Sequence, residues 1–263
     1  MRILMTVLVA CIAFMAQADD LDKIRAKGEV VFGVRNSSPP FGFFDKARGT
    51  VTGYDIDFAT LIARKLGVKP IFKTVEPGDR IKVLTDGRAD LVIAAMGKSA
   101  EREKEVDFSL GYFVSTQKVV AKKGTIKDLI QLEKKTVCVS LGTSNGAKLK
   151  AISQNIMLVE VADYDEIFTA LQAGRCDAGS GGEAALLGNL AKMPGKSAYE
   201  VPDVPIASEA FAVAMRKGET KLQQQVNEAL ATAEKTGEAE KIYDRWFGPG
   251  AAVQLPRAFK ISR

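Results

Sequence analysis

Hydrophobic and polar positions along this chain switch repeatedly between two periods. Val30-Val-Phe-Gly-Val34 is a continuous apolar run, bounded by Gly28 and the turn cluster Asn36-Ser-Ser-Pro-Pro40, which predicts a short buried strand. Asp55–Leu66 then places apolar residues at 56, 59, 63 and 66, with 58, 61 and 62 alongside, after an acidic start and ahead of Gly67. That spacing predicts an amphipathic helix with a glycine stop. The alternation continues with strands over 70–75, 90–95, 117–121, 136–140, 158–161, 176–180 and 211–215. Between them fall helices over 79–86, 144–151, 163–173, 183–191 and 219–234, and a short helix opened by Ser99. Strands alternating with helices predict an α/β fold of parallel or mixed sheets with helices on both faces. A length of 263 residues allows two modest domains. No fixed-period repeat, low-complexity segment or long linker separates them, so short crossings must join them, and the extended stretches Phe113–Ala121 and Val201–Ala212 are the natural places.

The first eighteen residues follow neither period. Met1-Arg2, an apolar stretch from Ile3 to Met15 and the small-residue site Ala16-Gln-Ala18 predict a secretory signal peptide over 1–18. The expected product starts at Asp19, is soluble and is exported to the periplasm. Leu8-Val-Ala-Cys11 also fits a lipoprotein signal with a lipid on Cys11; against it, the preceding apolar stretch is very short and Ile12–Met15 would be stranded at the new terminus. Export changes the meaning of the two later cysteines. Cys138 and Cys176 form an even pair in an oxidising compartment, each beginning a strand-like run, so a disulfide is expected if the strands are neighbours, with two buried free thiols as the alternative.

With 46% hydrophobic and 26% charged residues the composition is that of a globular protein. The absence of histidine excludes more: no imidazole base, and no metal site that requires histidine ligands. No metal or cofactor is expected. The 37 Lys and Arg against 32 Asp and Glu include no basic block, which argues against nucleic-acid binding. Lys122-Lys123 and Lys134-Lys135 read as solvated faces.

In open α/β sheets ligands bind beyond the carboxyl ends of the strands. The segments that follow strands here are Arg35–Phe44, Glu76–Arg80, Ala95–Arg102, Leu141–Asn145 and Gly179–Glu183. Three carry an arginine, Arg35, Arg80 and Arg102, and a fourth, Gly142-Thr-Ser-Asn145, brings a glycine turn into a helix start that favours anions. Together they predict an anion site, with Phe41 as a wall. Gly179-Ser-Gly-Gly-Glu-Ala184 matches a dinucleotide fingerprint in form, but it lies mid-chain without an acidic partner on a following strand, so a tight turn at the cleft is expected. Trp246 and Phe247 should pin a C-terminal helix to the first domain, and the tail 249–263 should be loosely held.

Gly53-Tyr-Asp-Ile-Asp-Phe58 followed by Ile62-Ala63 and Leu66 resembles the signature of the family 3 extracellular solute-binding proteins, the polar amino-acid receptors of ABC importers. Pro40-Phe41, Glu101-Arg102, Val106-Asp-Phe-Ser109, Gly142-Thr143 and Trp246-Phe-Gly248 extend the resemblance over Leu21 to Gly248. It implies two lobes closing on a ligand about a two-strand hinge, with 19–113 and 207–263 as one lobe and 114–206 as the other. It further implies a monomer that hands its ligand to a permease. Gly33–Phe41 and Gly78–Ile81 look most like the glutamate/aspartate receptors, whose arginines at the positions of Arg35 and Arg80 hold a side-chain carboxylate. Arg102 matches the arginine that grips the α-carboxylate, with help from N–H groups near Thr143 and Ser144.

Three positions depart from that pattern. Ala95 stands where a hydroxyl or a glycine is usual, Gly97 where a threonine is, and Gly182 where an aspartate pairs with the α-ammonium. Either Glu183 supplies the missing carboxylate, or the ligand has no ammonium there and is another organic acid. The same fold hosts dehydratases of prephenate-like diacids, for which Glu183 is a candidate general acid, and accessory proteins whose cleft takes a polypeptide. With no histidine in the cleft, and Tyr164 near a position some acidic amino-acid receptors fill with one, capture is expected to vary little between pH 6 and 8.

Overall fold

The first β-branched run forms strand Glu29–Val34 in the computed structural model, which describes residues 19–262. The segment read as a signal peptide, Cys11 included, lies outside the described residues. Glu29–Val34 pairs in parallel with Lys69–Thr74 on one side and with Leu91–Val92 on the other. A second parallel set stands at the far end, with Thr136–Ser140 between Met157–Val161 and Ala178–Gly182. Two long strands, Val106–Lys122 and Ala207–Arg216, lie antiparallel between the sets and pair with both of them. The result is the expected two-lobed α/β architecture, with the lobes joined through a continuous ladder.

Each set of strands is covered on both faces, which is why its strands read as unbroken apolar runs. Phe32 and Leu91 pack with Phe58 and Ile62 of helix Tyr54–Leu66, while the adjacent Val92 packs with Val83 and Leu84 on the other side. In the second lobe Val120 meets Ile167 and Phe168 of helix Tyr164–Gln172, and its neighbour Val119 meets Leu132 and Leu149. An aromatic cluster closes the junction of hinge and first lobe. Phe41 and Phe113 meet edge to face with centroids 4.8 Å apart, and Tyr54 and Phe247 pack against both. Trp246 donates its indole N–H to Asp57 Oδ2 (2.7 Å), tying helix Glu238–Phe247 to helix Tyr54–Leu66.

Three elements differ from expectation for identifiable reasons. The strand expected over 117–121 is only the end of the 17-residue strand Val106–Lys122; its polar residues hide a strand that its partner Ala207–Arg216 supports. The strand expected over 90–95 stops at Val92. Beyond it, Arg80 Nη1 donates to the carbonyls of Ala94 and Ala95 (3.1 and 3.2 Å), and the Ala95 N–H donates to Asp55 Oδ2 (2.9 Å), so side chains take the groups a ladder would use. Ala95 accordingly adopts a left-handed conformation (φ 47°), an unfavourable one for a residue with a Cβ. The tail is not loosely held: Val253 and Ile261 are buried, Leu255 N–H donates to the Phe247 carbonyl (3.0 Å), and Arg257 pairs with Glu234.

Cys138 and Cys176 form a disulfide with Cα atoms 5.8 Å apart, a usual separation for a bridged pair. The bond fastens strand Thr136–Ser140 to the lead-in of its neighbour Ala178–Gly182. Replacing both cysteines by serine is expected to lower the unfolding free energy by about 2–5 kcal/mol, measured by denaturant titration; unchanged stability would contradict a structural role.

Asp55 is fully buried, accepting from Tyr112 Oη (2.8 Å) as well as from Ala95. Burial pushes its carboxyl up to about 7, outweighing the Tyr112 and Ala95 hydrogen bonds and the Arg80 charge that pull it down. A carboxyl whose folded-state pKa lies above its unfolded value of about 4 stabilises the fold fully only below that value, and the contribution is lost as pH rises through 7. The protein is therefore expected to lose melting temperature between pH 5 and 8 relative to Asp55→Asn. Parallel pH profiles for the two would exclude this assignment.

Candidate ligand-binding site

The carboxyl ends of the strands in the two lobes face each other across a cavity of about 40 Å³. Nine of the ten residues expected at the site line it. Arg35, Phe41, Arg80, Ala95, Gly97 and Arg102 come from the first lobe, and Thr143, Ser144 and Gly182 from the second. Topology explains the convergence, since the lobes' parallel strands point at each other across the hinge.

The three arginines are held differently. Arg35 is buried and directs Nη1 to the Val75 carbonyl (2.6 Å) and Glu76 Oε2 (2.8 Å), and Nη2 to Ser37 Oγ (2.7 Å). Its charge is thus matched within its own lobe. Arg80, also buried, donates only to backbone carbonyls, through Nε to Pro77 (2.9 Å), through Nη1 to Ala94 and Ala95, and through Nη2 to Gly142 (3.1 Å). Arg102 is partly buried and donates to the carbonyls of Gly97 (2.7 Å) and Gly142 (3.0 Å). Among the described residues neither Arg80 nor Arg102 has a carboxylate within ion-pair distance. Burial, with Arg102 and Arg35 nearby, pulls Arg80 down to about 9, and burial also lowers Arg102, against the Glu209 charge. Arg80 remains a cation at neutral pH.

The lobes are closed. Both Arg80 and Arg102 reach across to the Gly142 carbonyl, and a Cβ on Gly142 would come within 2.4 Å of Gly78 Cα. Gly142 also has φ 72°, so glycine is required there twice over, by conformation and by approach.

The position expected to replace the missing aspartate does not face this cavity. Glu183 pairs with Lys118 (2.7 Å) and lines a different cavity, beside Ser115, Tyr243 and Phe259. As the first residue of helix Glu183–Lys192, it turns away from the face Gly182 presents. At Gly182 a Cβ would meet Ser115 Oγ at 2.5 Å, so a side chain there would have to turn the Ser115 hydroxyl aside. Nor do the glycines of Gly179–Ala184 make a turn. Ala178–Gly182 is a strand running straight into the helix, and a Cβ on Gly179 or Gly181 would strike Ile167 (2.3 Å) or the Tyr164 ring (2.5 Å).

Four further lining residues bear on the chemistry. Tyr164 Oη accepts the Gly182 N–H (3.1 Å), leaving its proton to donate. Ser38 Oγ is buried without a partner among the described residues. Glu209 and Phe211 enter from strand Ala207–Arg216. That stretch reads as a plain crossing in the sequence, yet its period of two puts Glu209 on the same face as Phe211; this was the available signal.

The model of the bacterial extracellular solute-binding proteins, family 3, matches residues 30–249. The glutamate/aspartate import solute-binding protein of Escherichia coli is 31% identical, covering 97% of this chain and 91% of its own. The ABC transporter glutamine-binding protein GlnH of Bacillus subtilis is 31% identical over 88% and 85%. Among solved structures, the ancestral amino acid-binding protein AncCDT-1, a precursor of cyclohexadienyl dehydratase, superposes with a TM-score of 0.77 at 31% identity, covering 87% of this chain and 99% of that one. With the lobes, the hinge and the facing strand ends in place, the chain belongs to the bacterial extracellular solute-binding proteins, family 3.

Proposed function

We propose that this protein captures a small anionic solute, an acidic amino acid or a related organic acid, and delivers it to the permease of an ABC importer after export to the periplasm. The observation that carries this reading is the state of Arg80 and Arg102, two cations in the cavity wall bonded to carbonyls alone. A guanidinium taken out of water without a counter-charge is costly, and a ligand carboxylate is the group that would offset the cost. Opening the lobes separates the Gly142 carbonyl from both arginines and frees one donor on each. A bound carboxylate would take those donors, and Ser38 and Tyr164 would supply hydroxyls for a second acidic group. The lobe limits 19–113 with 207–263 and 114–206 put one crossing within Val106–Lys122 and the other at the start of Ala207–Arg216, so closure bends the ladder without breaking it.

Relatives of this family differ in their ligands, so the charge of the solute is read from this cavity. The dehydratase alternative loses its acid, because Glu183 does not line the cavity.

Calorimetric titration with glutamate, aspartate, succinate and 2-oxoglutarate should give micromolar or tighter binding for at least one of the four; binding of neutral or cationic amino acids alone would overturn the assignment. Arg102→Ala should weaken the bound acid by about 100-fold or more, the loss expected for a charge-assisted fork, with the melting temperature little changed. Gly142→Ala should weaken every ligand by blocking closure; retained wild-type affinity would show that the closed contact is not needed.

A further inference from the structure

The cavity that holds three arginines has, among the described residues, a single acidic lining residue, Glu209. It is not a rim charge: its side chain is only 19% exposed. Ser144 Oγ (2.9 Å) and Lys148 Nζ (2.7 Å) both donate to the same oxygen, Oε2. No donor among the described residues reaches Oε1, which leaves a charged acceptor within the site.

The neighbouring backbone is shaped around this carboxylate. Gly97 pairs with Phe211 on the Glu209 strand, and a Cβ on Gly97 would lie 2.3 Å from Oε2 and 3.0 Å from Oε1. Any side chain at 97 would therefore have to displace Glu209. On the opposite wall Gly182 carries no side chain, and Glu183 lines a different cavity. Two glycines at once make room for one carboxylate and leave it without an acidic rival in the cavity.

From this arrangement we infer that Glu209 is the specificity-determining residue of the site: its free carboxylate oxygen receives the ammonium group of a dicarboxylic amino acid whose carboxylates are held by the arginines. The inference rests on the anionic-solute reading above and deepens it by assigning the ligand an amino group. Coulomb's law supplies both halves of the selection. An ammonium at hydrogen-bond distance from Oε1 gains a charge-assisted bond, whereas a diacid without the amine leaves that oxygen without a donor and sets a further negative charge beside it. Lys148 offsets part of the charge through Oε2, but it is absent from the cavity wall and leaves Oε1 open to a ligand donor. The hinge strand thus contributes the counter-charge that helix Glu183–Lys192 does not.

The test compares matched pairs, glutamate with 2-oxoglutarate and aspartate with succinate, by calorimetric titration of the wild type, Glu209→Gln and Gly97→Ala. The wild type should prefer the amino acid of the better pair by at least about 10-fold, and Glu209→Gln should weaken the amino acid by at least about 10-fold, as for loss of a hydrogen bond between charged groups. The same variant should leave the deaminated acid unchanged or bind it more tightly. Gly97→Ala, which pushes the carboxylate from its place, should reproduce that split and serves as the second variant should Glu209→Gln fail to fold. Equal losses for both members of a pair would make Glu209 a strut and overturn the inference. So would wild-type preference for the deaminated acid, a result that leaves the anionic-solute reading standing. If the wild type binds none of the four, that reading falls and this inference with it.

Discussion

One guanidinium organises the binding face. Arg80 donates to carbonyls of three separate segments, Pro77 in its own turn, Ala94 and Ala95 past the end of a strand, and Gly142 in the opposite lobe. The first two segments could not hold their irregular backbone without those bonds, because buried carbonyls need partners and no ladder reaches them. The third makes the same side chain sense whether the lobes are together. A lysine could not substitute: its compact ammonium lacks the planar fork that serves four acceptors in different directions. Asp55 completes the device from beneath, taking the Ala95 N–H while Tyr112 holds its other oxygen. A helix start, a hinge strand and a strand end are thereby fixed around a single buried network.

The sequence was most legible where local pattern and tertiary environment agree. Helix Tyr54–Leu66 and strand Thr136–Ser140 stand within one residue of expectation, since a glycine stop in one and an unbroken apolar run in the other match their burial. Legibility failed where side chains replace the ladder, as after Val92, and where a partner strand supports an unpromising run, as in Val106–Lys122. The same division holds for the site. Arg35, Arg80 and Arg102 could be found because strand ends are predictable and arginine is conspicuous there. For Glu209 the alternation offers only its face, shared with Phe211; its contribution depends on what is missing at Gly97 and Gly182, and an absent side chain has meaning only once its neighbours are in place. Glu183 shows the reverse error: adjacency in sequence suggested a substitute, but one step along a helix start turns a side chain by about 100 degrees.

Glycine is used here as a shaping element more than as a flexible one. At Gly179 and Gly181 it lets helix Tyr164–Gln172 lie close on the strand, which brings the Tyr164 hydroxyl to the cavity wall. At Gly142 it permits the lobes to touch. Removing Cβ atoms on both sides narrows the space, so that Arg80, Arg102 and a few hydroxyls stand among apolar walls and fix a ligand's orientation.

The two long antiparallel strands have a further consequence for how the molecule moves. Because Val106–Lys122 and Ala207–Arg216 stay bonded to each other from one lobe into the other, the lobes cannot drift independently as domains on a loose tether do. Their relative motion is confined to bending and twisting of one ribbon, with the register shifts around Phe211 and Ala212 as its irregular points. Little orientational freedom is then left to lose when a solute closes the cleft, so more of the contact energy is expressed as affinity. The open and closed forms become two settings of one coordinate, a distinction that a receiving membrane partner could read from the spacing of the lobes alone.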